Sequence, residues 1–308
     1  MTRSVAELVA GRDVPLGRYT SVRRFLPDRD RRMVGAWCLV DRFGPDSLIA
    51  LPGMRVPPHP HTGLQTVTWL VAGEIEHRDS LGSVQTIMPG QLNLMTSGHG
   101  IAHSEESPRQ RPPTLHGVQL WVALPDPVRL GEPGFAHHHT LPVLDEPGRT
   151  VTVVVGELAG ERSPAVVHTP LVCAEITLDA GRTIRLDLEP DFEYAAVMLA
   201  GSAEVAGGTL GPDPLLYLGT GRAELTLHAP EPARLLLIGG APFAEELIMW
   251  WNFVGRSHDD IAAARADWAA GRRFGPVPGF DGDRLPAPPM PGGRLRARDR
   301  NGRSRDDR

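Results

Sequence analysis

The sequence predicts an all-β protein of two tandem β-barrel (jelly-roll) domains with a short C-terminal helix, and three observations carry that expectation. Glycine and proline are abundant, 34 and 30 among 308 residues, which suits many short strands joined by tight turns. Apolar and polar residues alternate over short runs, the period of half-buried strands rather than of helices. These runs form two blocks of similar rhythm, one on each side of a proline-rich stretch at 126–149.

Taken in order, the chain is expected to open with a short helical segment and to become strand-like at 19–25 and 35–41. From His61 onward Leu64, Thr66, Thr68 and Leu70 alternate with Gln65, Val67, Trp69 and Val71, so the run has two distinct faces. A turn at Ala72-Gly73-Glu74 then predicts a hairpin whose return strand is Ile75-Glu76-His77-Arg78, with His77 facing solvent. Strands follow at 84–88, 92–95 and 116–124, closing an N-terminal domain over 1–125. Residues 126–149 read as a loop-like linker, punctuated by Pro127, Pro133, Pro142 and Pro147. A second block of strands runs from 150 to 238 and resembles an internal structural duplication. The domain of 150–285 includes one helix at 257–271. Ser257 is its N-cap, Asp259 and Asp260 sit at the positive end of the dipole, and Ile261, Ala264 and Trp268 form an apolar stripe that ends at Gly271. Residues 286–308, rich in arginine and aspartate, are expected to be disordered.

Composition excludes some classes of partner. A net charge of −5 offers no general attraction to nucleic acid or to anionic membrane, and every basic residue is arginine. The arginine-rich tail reads as a solvated terminus. Cys38 and Cys173 form no CxxC pair and are expected to be buried and reduced. With no signal peptide or membrane span evident, the expected location is the cytoplasm.

The chemistry concentrates in two motifs, Pro58-His59-Pro60-His61 and Gly98-His99-Gly100-Ile101-Ala102-His103-Ser104-Glu105. On a strand, residues i and i+2 project to one face, so His59 with His61 and His103 with Glu105 are two same-face pairs. On neighbouring strands they would converge into a mixed nitrogen and oxygen site for Fe, Mn, Ni, Cu or Zn, with open positions on an ion that prefers six ligands. The other histidines are expected to play lesser parts. His99 would line the pocket mouth or simply occupy a turn, His116 would make a structural hydrogen bond, and His137, His138 and His139 would lie on a surface loop with rings pointing apart. His168, His228 and His258 have no i,i+2 histidine partner, so the second block is expected to carry no metal.

These residues resemble the pirin family of the cupin superfamily. The resemblance rests on Pro58-His59-Pro60-His61-Thr62-Gly63-Leu64-Gln65-Thr66-Val67, on Gly73-Glu74-Ile75-Glu76-His77-Arg78-Asp79-Ser80, and on 95–105 followed by His116-Gly117-Val118-Gln119-Leu120-Trp121-Val122. It is dense over 35–125 and looser elsewhere, with Trp250-Trp251-Asn252-Phe253-Val254 similar to the family's C-terminal end. The resemblance implies a bicupin with one metal, commonly Fe(II), held in the N-terminal barrel by His59, His61, His103 and Glu105. Gln65 stands where the general cupin pattern has glutamate, and is expected to change charge and hydrogen bonding beside the metal. Two functions follow. One is a quercetin 2,3-dioxygenase-type ring cleavage of a small planar aromatic substrate by O2, with Glu105 assisting proton removal and Leu64, Val67, Leu92, Leu94 and Met95 forming the apolar wall. The other is a non-enzymatic, iron- or redox-responsive protein read by a protein partner, as some pirins are transcriptional co-regulators. A closed tetrahedral zinc site would instead mark a structural metal.

Overall fold

The computed structural model describes residues 6–17, 19–49 and 52–304. Two barrels stand in tandem, each made of one large and one four-stranded sheet. In the first, a seven-stranded sheet is centred on Leu64–Ala72, Thr114–Ala123 and Trp37–Ser47, and faces a smaller sheet of Arg55–His61, Ile101–Glu106, Ile75–Asp79 and Val84–Ile87. The second repeats the plan, with Ala233–Gly240 at the heart of its large sheet and Arg182–Asp187 at the edge of its small one.

Three apolar clusters explain why the barrels form one body. Phe43, Leu70, Ile75 and Ile87 fill the first barrel, and Ile176, Leu186, Leu227 and Leu235 fill the second. The third lies between the two large sheets, where Leu64, Val67 and Trp69 from one meet Val197, Leu236 and Ile238 from the other. The central strands of the large sheets are therefore buried on both faces, one toward their own barrel and one toward the neighbour. Polar bonds tie the same interface: Trp37 Nε1 donates to Gly239 O at 3.0 Å, Trp69 Nε1 to Glu175 Oε2 at 2.8 Å, and Gly35 N to the fully buried Glu193 carboxylate at 2.7 Å.

Several boundaries differ from the sequence expectation. The opening segment is strand, not helix, within the described residues: Glu7–Ala10 crosses over to pair with Pro214–Gly219 at the edge of the second barrel's sheet, and Arg12–Leu16 pairs with Thr20–Leu26. Residues 126–149 are not merely a linker. Gly134–His138 adds an edge strand to the first barrel and Val143–Glu146 one to the second. Their bracketing prolines are tolerated because an edge strand leaves one side of its backbone unpaired.

The C-terminal stretch expected to be disordered packs instead, as far as residue 304. Met290, Leu295 and Ala297 lie against a cluster containing Trp268, Phe253 and Phe274, and Leu247 exchanges two backbone hydrogen bonds with Arg298, at 2.8 and 3.0 Å. Alternation accounts for the difference: Leu295 and Ala297 turn inward while Arg294 points to solvent, so a segment that looks uniformly charged still has an apolar side. Residues 305–308 lie outside the described residues. The helix, His258–Ala269, is capped as expected by a box in which Ser257 and Asp260 bond each other's backbone. Trp268 packs in the aromatic cluster, and its Nε1 donates to Leu285 O at 2.8 Å. Among the described residues no helix is long and apolar enough to cross a membrane.

His116, expected to make a structural hydrogen bond, is buried with its Nε2 lacking a partner. Burial, with Arg42 and Arg234 nearby, pushes its pKa down to about 4. An unfolded chain would protonate it near its ordinary value of about 6.5. The unfolded state therefore binds more protons between those two values, and His116 costs stability increasingly as pH falls from 6.5 toward 4. His116→Phe, which cannot protonate, is expected to lose less melting temperature between pH 7 and pH 5 than the parent; an unchanged slope would contradict this.

Candidate metal centre

Register on the small sheet of the first barrel assembles the site. Arg55–His61 and Ile101–Glu106 run antiparallel with His103 directly opposite His59, and Ile75–Asp79 flanks the other side with Asp79 opposite His103 and His77 opposite Glu105. A bulge between His103 and Glu105 shifts the pairing with Arg55–His61, while both side chains still face inward. The inner face thus carries three i,i+2 pairs in a row: His59 and His61, His103 and Glu105, His77 and Asp79. All six residues are buried.

Possible ligand atoms of His59, His61 and His103 lie within 4.8 Å of one another. Glu105 falls into an overlapping group with His103 and His77, and lines the same cavity as the three imidazoles. His77 is thus not the solvent-facing residue expected, because Ile75, His77 and Asp79 share the inner face of the sheet.

Hydrogen bonds fix the tautomers of two rings. His59 Nδ1–H donates to Pro57 O at 2.9 Å and His61 Nδ1–H to Asn252 O at 3.1 Å, since a carbonyl can only accept. Burial pushes the His59 pKa down to about 4, and burial together with neighbouring imidazoles holds His61 and His103 well below the ordinary histidine range. Each of these rings is therefore neutral near pH 7, and for His59 and His61 the free lone pair is on Nε2. His61 Nε2 stands 3.0 Å from His103 Nε2. Two imidazole nitrogens about 2.1 Å from one ion and at right angles to each other would be about 3.0 Å apart, so the donor set fits a divalent metal. Burial raises the Glu105 carboxyl above the usual range, with only His77 and the Thr68 hydroxyl, 3.3 Å from Oε1, opposing it.

The cavity in front of these groups encloses about 420 Å³. Its apolar wall comes from Phe43, Met54, Val56, Trp121, Met249 and Trp251. The expected wall of Leu64, Val67, Leu92 and Leu94 lies instead between the barrels, and Met95 is buried away from the cavity. Gln65 shares that outward face: its Nε2 donates to Thr96 Oγ1 at 2.9 Å and Val166 O at 3.0 Å, so it is not beside the site. Arg24 and Asp41 add a bidentate ion pair to the cavity wall, with bonds of 2.7 and 2.6 Å, and Cys38 lines it as a free buried thiol whose pKa burial pushes up to about 12.

Part of the site arrives from far along the chain. The hairpin of Ile248–Trp250 and Phe253–Gly255 brings Met249, Trp251 and Asn252 to the cavity, its tip residue Trp251 in the left-handed region at φ 53°. It seats on the turn after His61, where Val254 N donates to Thr62 O at 3.0 Å. Gly63 permits this: a Cβ there would stand 2.3 Å from the Val254 carbonyl. His99 takes the turn role, its Nδ1 donating to Gly131 O at 3.1 Å. His137 and His139, expected to diverge, meet at 3.1 Å because they too are spaced i,i+2.

Two barrels, with one candidate metal centre inside the first, define a bicupin. The chain belongs to the pirin family: residues 19–122 match the pirin domain and residues 173–275 the pirin C-terminal cupin domain. It is 48% identical over 285 residues, 92% of this chain and 90% of the relative, to the Pseudomonas aeruginosa protein named "Putative quercetin 2,3-dioxygenase PA1205". A pirin-like protein of Caulobacter vibrioides is 38% identical over 283 residues, 89% of this chain and 96% of that protein. The crystal structure of a quercetin 2,3-dioxygenase from Acinetobacter baumannii superimposes with a TM-score of 0.91 at 44% identity, covering 95% of this chain and 97% of that one.

Proposed function

We propose that this chain is a metal-dependent dioxygenase of the quercetinase type, opening the ring of a flavonol or related planar enol with O2. The observation that carries the reading is a cluster of three imidazoles, with Glu105 lining the same partly apolar cavity of about 420 Å³, a size suited to a small organic molecule. The names of the relatives from Pseudomonas and Acinetobacter point to the same substrate class. In this reading His59, His61, His103 and Glu105 hold one ion, Fe(II) by preference over Mn, Ni, Cu or Zn. When bound, that ion supplies Lewis acidity, favouring the ionised form of the substrate's enol and keeping it beside O2.

The remaining work falls to the protein's own groups. Glu105, which lines the cavity with the three imidazoles, would take the enol proton. The Thr68 hydroxyl lies 2.9 Å from Gln119 Oε1 and 3.3 Å from Glu105 Oε1, so its single proton is shared between these two acceptors. Phe43, Trp121 and Trp251 offer flat apolar surface to an aromatic substrate and exclude water. Trp121 meets the His61 ring edge-on, 5.0 Å between centroids, and so also limits how that ring can turn.

The test is anaerobic reconstitution with Fe(II) followed by O2 uptake with quercetin. Uptake in step with quercetin loss, absent without metal, is the expected result. Absence of metal-dependent uptake would remove the quercetinase reading.

A further inference from the structure

A chain of hydrogen bonds runs from the candidate centre into the sheet, through two residues to which the reaction above assigns no part. Asp79 is fully buried, and its Oδ1 accepts from the backbone N–H groups of Leu81 at 2.9 Å and Ser83 at 3.0 Å. Its Oδ2 lies 3.1 Å from His77 Nε2. A carboxylate only accepts, so His77 donates from Nε2, and in the neutral form of the ring the lone pair is at Nδ1. That Nδ1 is 3.4 Å from His103 Nδ1, which must then be the N–H donor. The consequence is a His103 ring with its other nitrogen, Nε2, unprotonated and turned toward His61 Nε2 at 3.0 Å. Phe135 stacks on His77, ring centroids 4.3 Å apart and planes 11° from parallel, and so holds the intermediate ring in place.

We propose that Asp79 and His77 are positioning residues that set the tautomer of His103, so that its Nε2 lone pair faces the metal centre. The proposal rests on the reading of His103 as a metal ligand. It extends by one imidazole the common arrangement in which a ligand histidine is oriented by a carboxylate, loss of which weakens metal binding roughly 10–100-fold.

Asp79→Asn is the informative substitution. The side-chain oxygen can still accept from Leu81 and Ser83, while the amide that replaces Oδ2 becomes a donor. His77 then has to accept at Nε2 and donate from Nδ1, and His103 has to carry its proton on Nε2, pointing into the site. Histidine ¹⁵N NMR of the metal-free protein reads this directly, and titration with cobalt(II) alone reads its effect on binding. The parent is expected to show His103 protonated at Nδ1 and to bind one cobalt per chain. Asp79→Asn is expected to show the opposite tautomer and at least tenfold weaker binding, with its thermal melt little changed. His77→Phe, which keeps the stack on Phe135, is expected to weaken binding similarly.

An unaltered tautomer with parental affinity in Asp79→Asn would overturn the relay. Two cobalt ions per chain, one of them lost in His77→Phe, would overturn it as well, in favour of direct ligation by His77. A parent that binds no cobalt would sink the metal reading itself, whereas the NMR arm would still decide whether Asp79 sets the His103 tautomer.

Discussion

His61→Ala is expected to reduce metal content several-fold or more in protein expressed and purified alongside the parent, as measured by elemental analysis. His61 Nε2 faces His103 Nε2 at 3.0 Å. The substitution also leaves Asn252 O without the donor that ties the C-terminal hairpin to the site. Loss of a directly bound ligand should exceed the roughly 10–100-fold loss in affinity that follows removal of an outer partner. The fold should survive, because the apolar core of the first barrel is built from Phe43, Leu70, Ile75 and Ile87 rather than from this ring. Unchanged stoichiometry in a folded variant would refute the ligand assignment.

The largest expected effect on stability comes from Trp37→Ala. Trp37 is fully buried in the cluster shared by the two barrels, and its Nε1 donates to Gly239 O across the interface. Truncating a buried tryptophan costs about 3–5 kcal/mol, a large part of the roughly 5–15 kcal/mol that holds a typical domain folded. Both barrels use this cluster, so denaturant unfolding should remain a single transition with its midpoint shifted down. Two separated transitions, with the second barrel unfolding at its original midpoint, would show that the shared core does not couple the domains.

The strand rhythm makes the two-barrel plan legible, and the i,i+2 rule alone selects His59, His61, His103 and Glu105. The same rule applied to His77 and Asp79, yet a hairpin return strand reads equally well as solvent-facing. Ile75, on the same parity and fully buried, was the available cue. The cavity wall was harder to read because Leu64–Ala72 is buried on both faces. Alternation separates Thr66 and Thr68 from Gln65 and Val67 without saying which set meets the second barrel. Trp251 and Asn252 reach the site only through tertiary docking onto Thr62 and Gly63, which no local pattern encodes. The C-terminal arginines concealed a packed segment for a related reason: composition registers their charge, while the inward positions of Leu295 and Ala297 depend on the surface they meet.

In the proposed centre, one metal ion sits in the first barrel on three imidazoles and a carboxylate. X-ray absorption spectroscopy with metal quantification, on protein purified without a histidine tag, tests it most directly. The expected result is one ion per chain, with three imidazole nitrogens and a carboxylate oxygen among its ligands and further positions open to solvent. Protein that takes up no metal, or an ion with fewer than two imidazole ligands, would contradict the account.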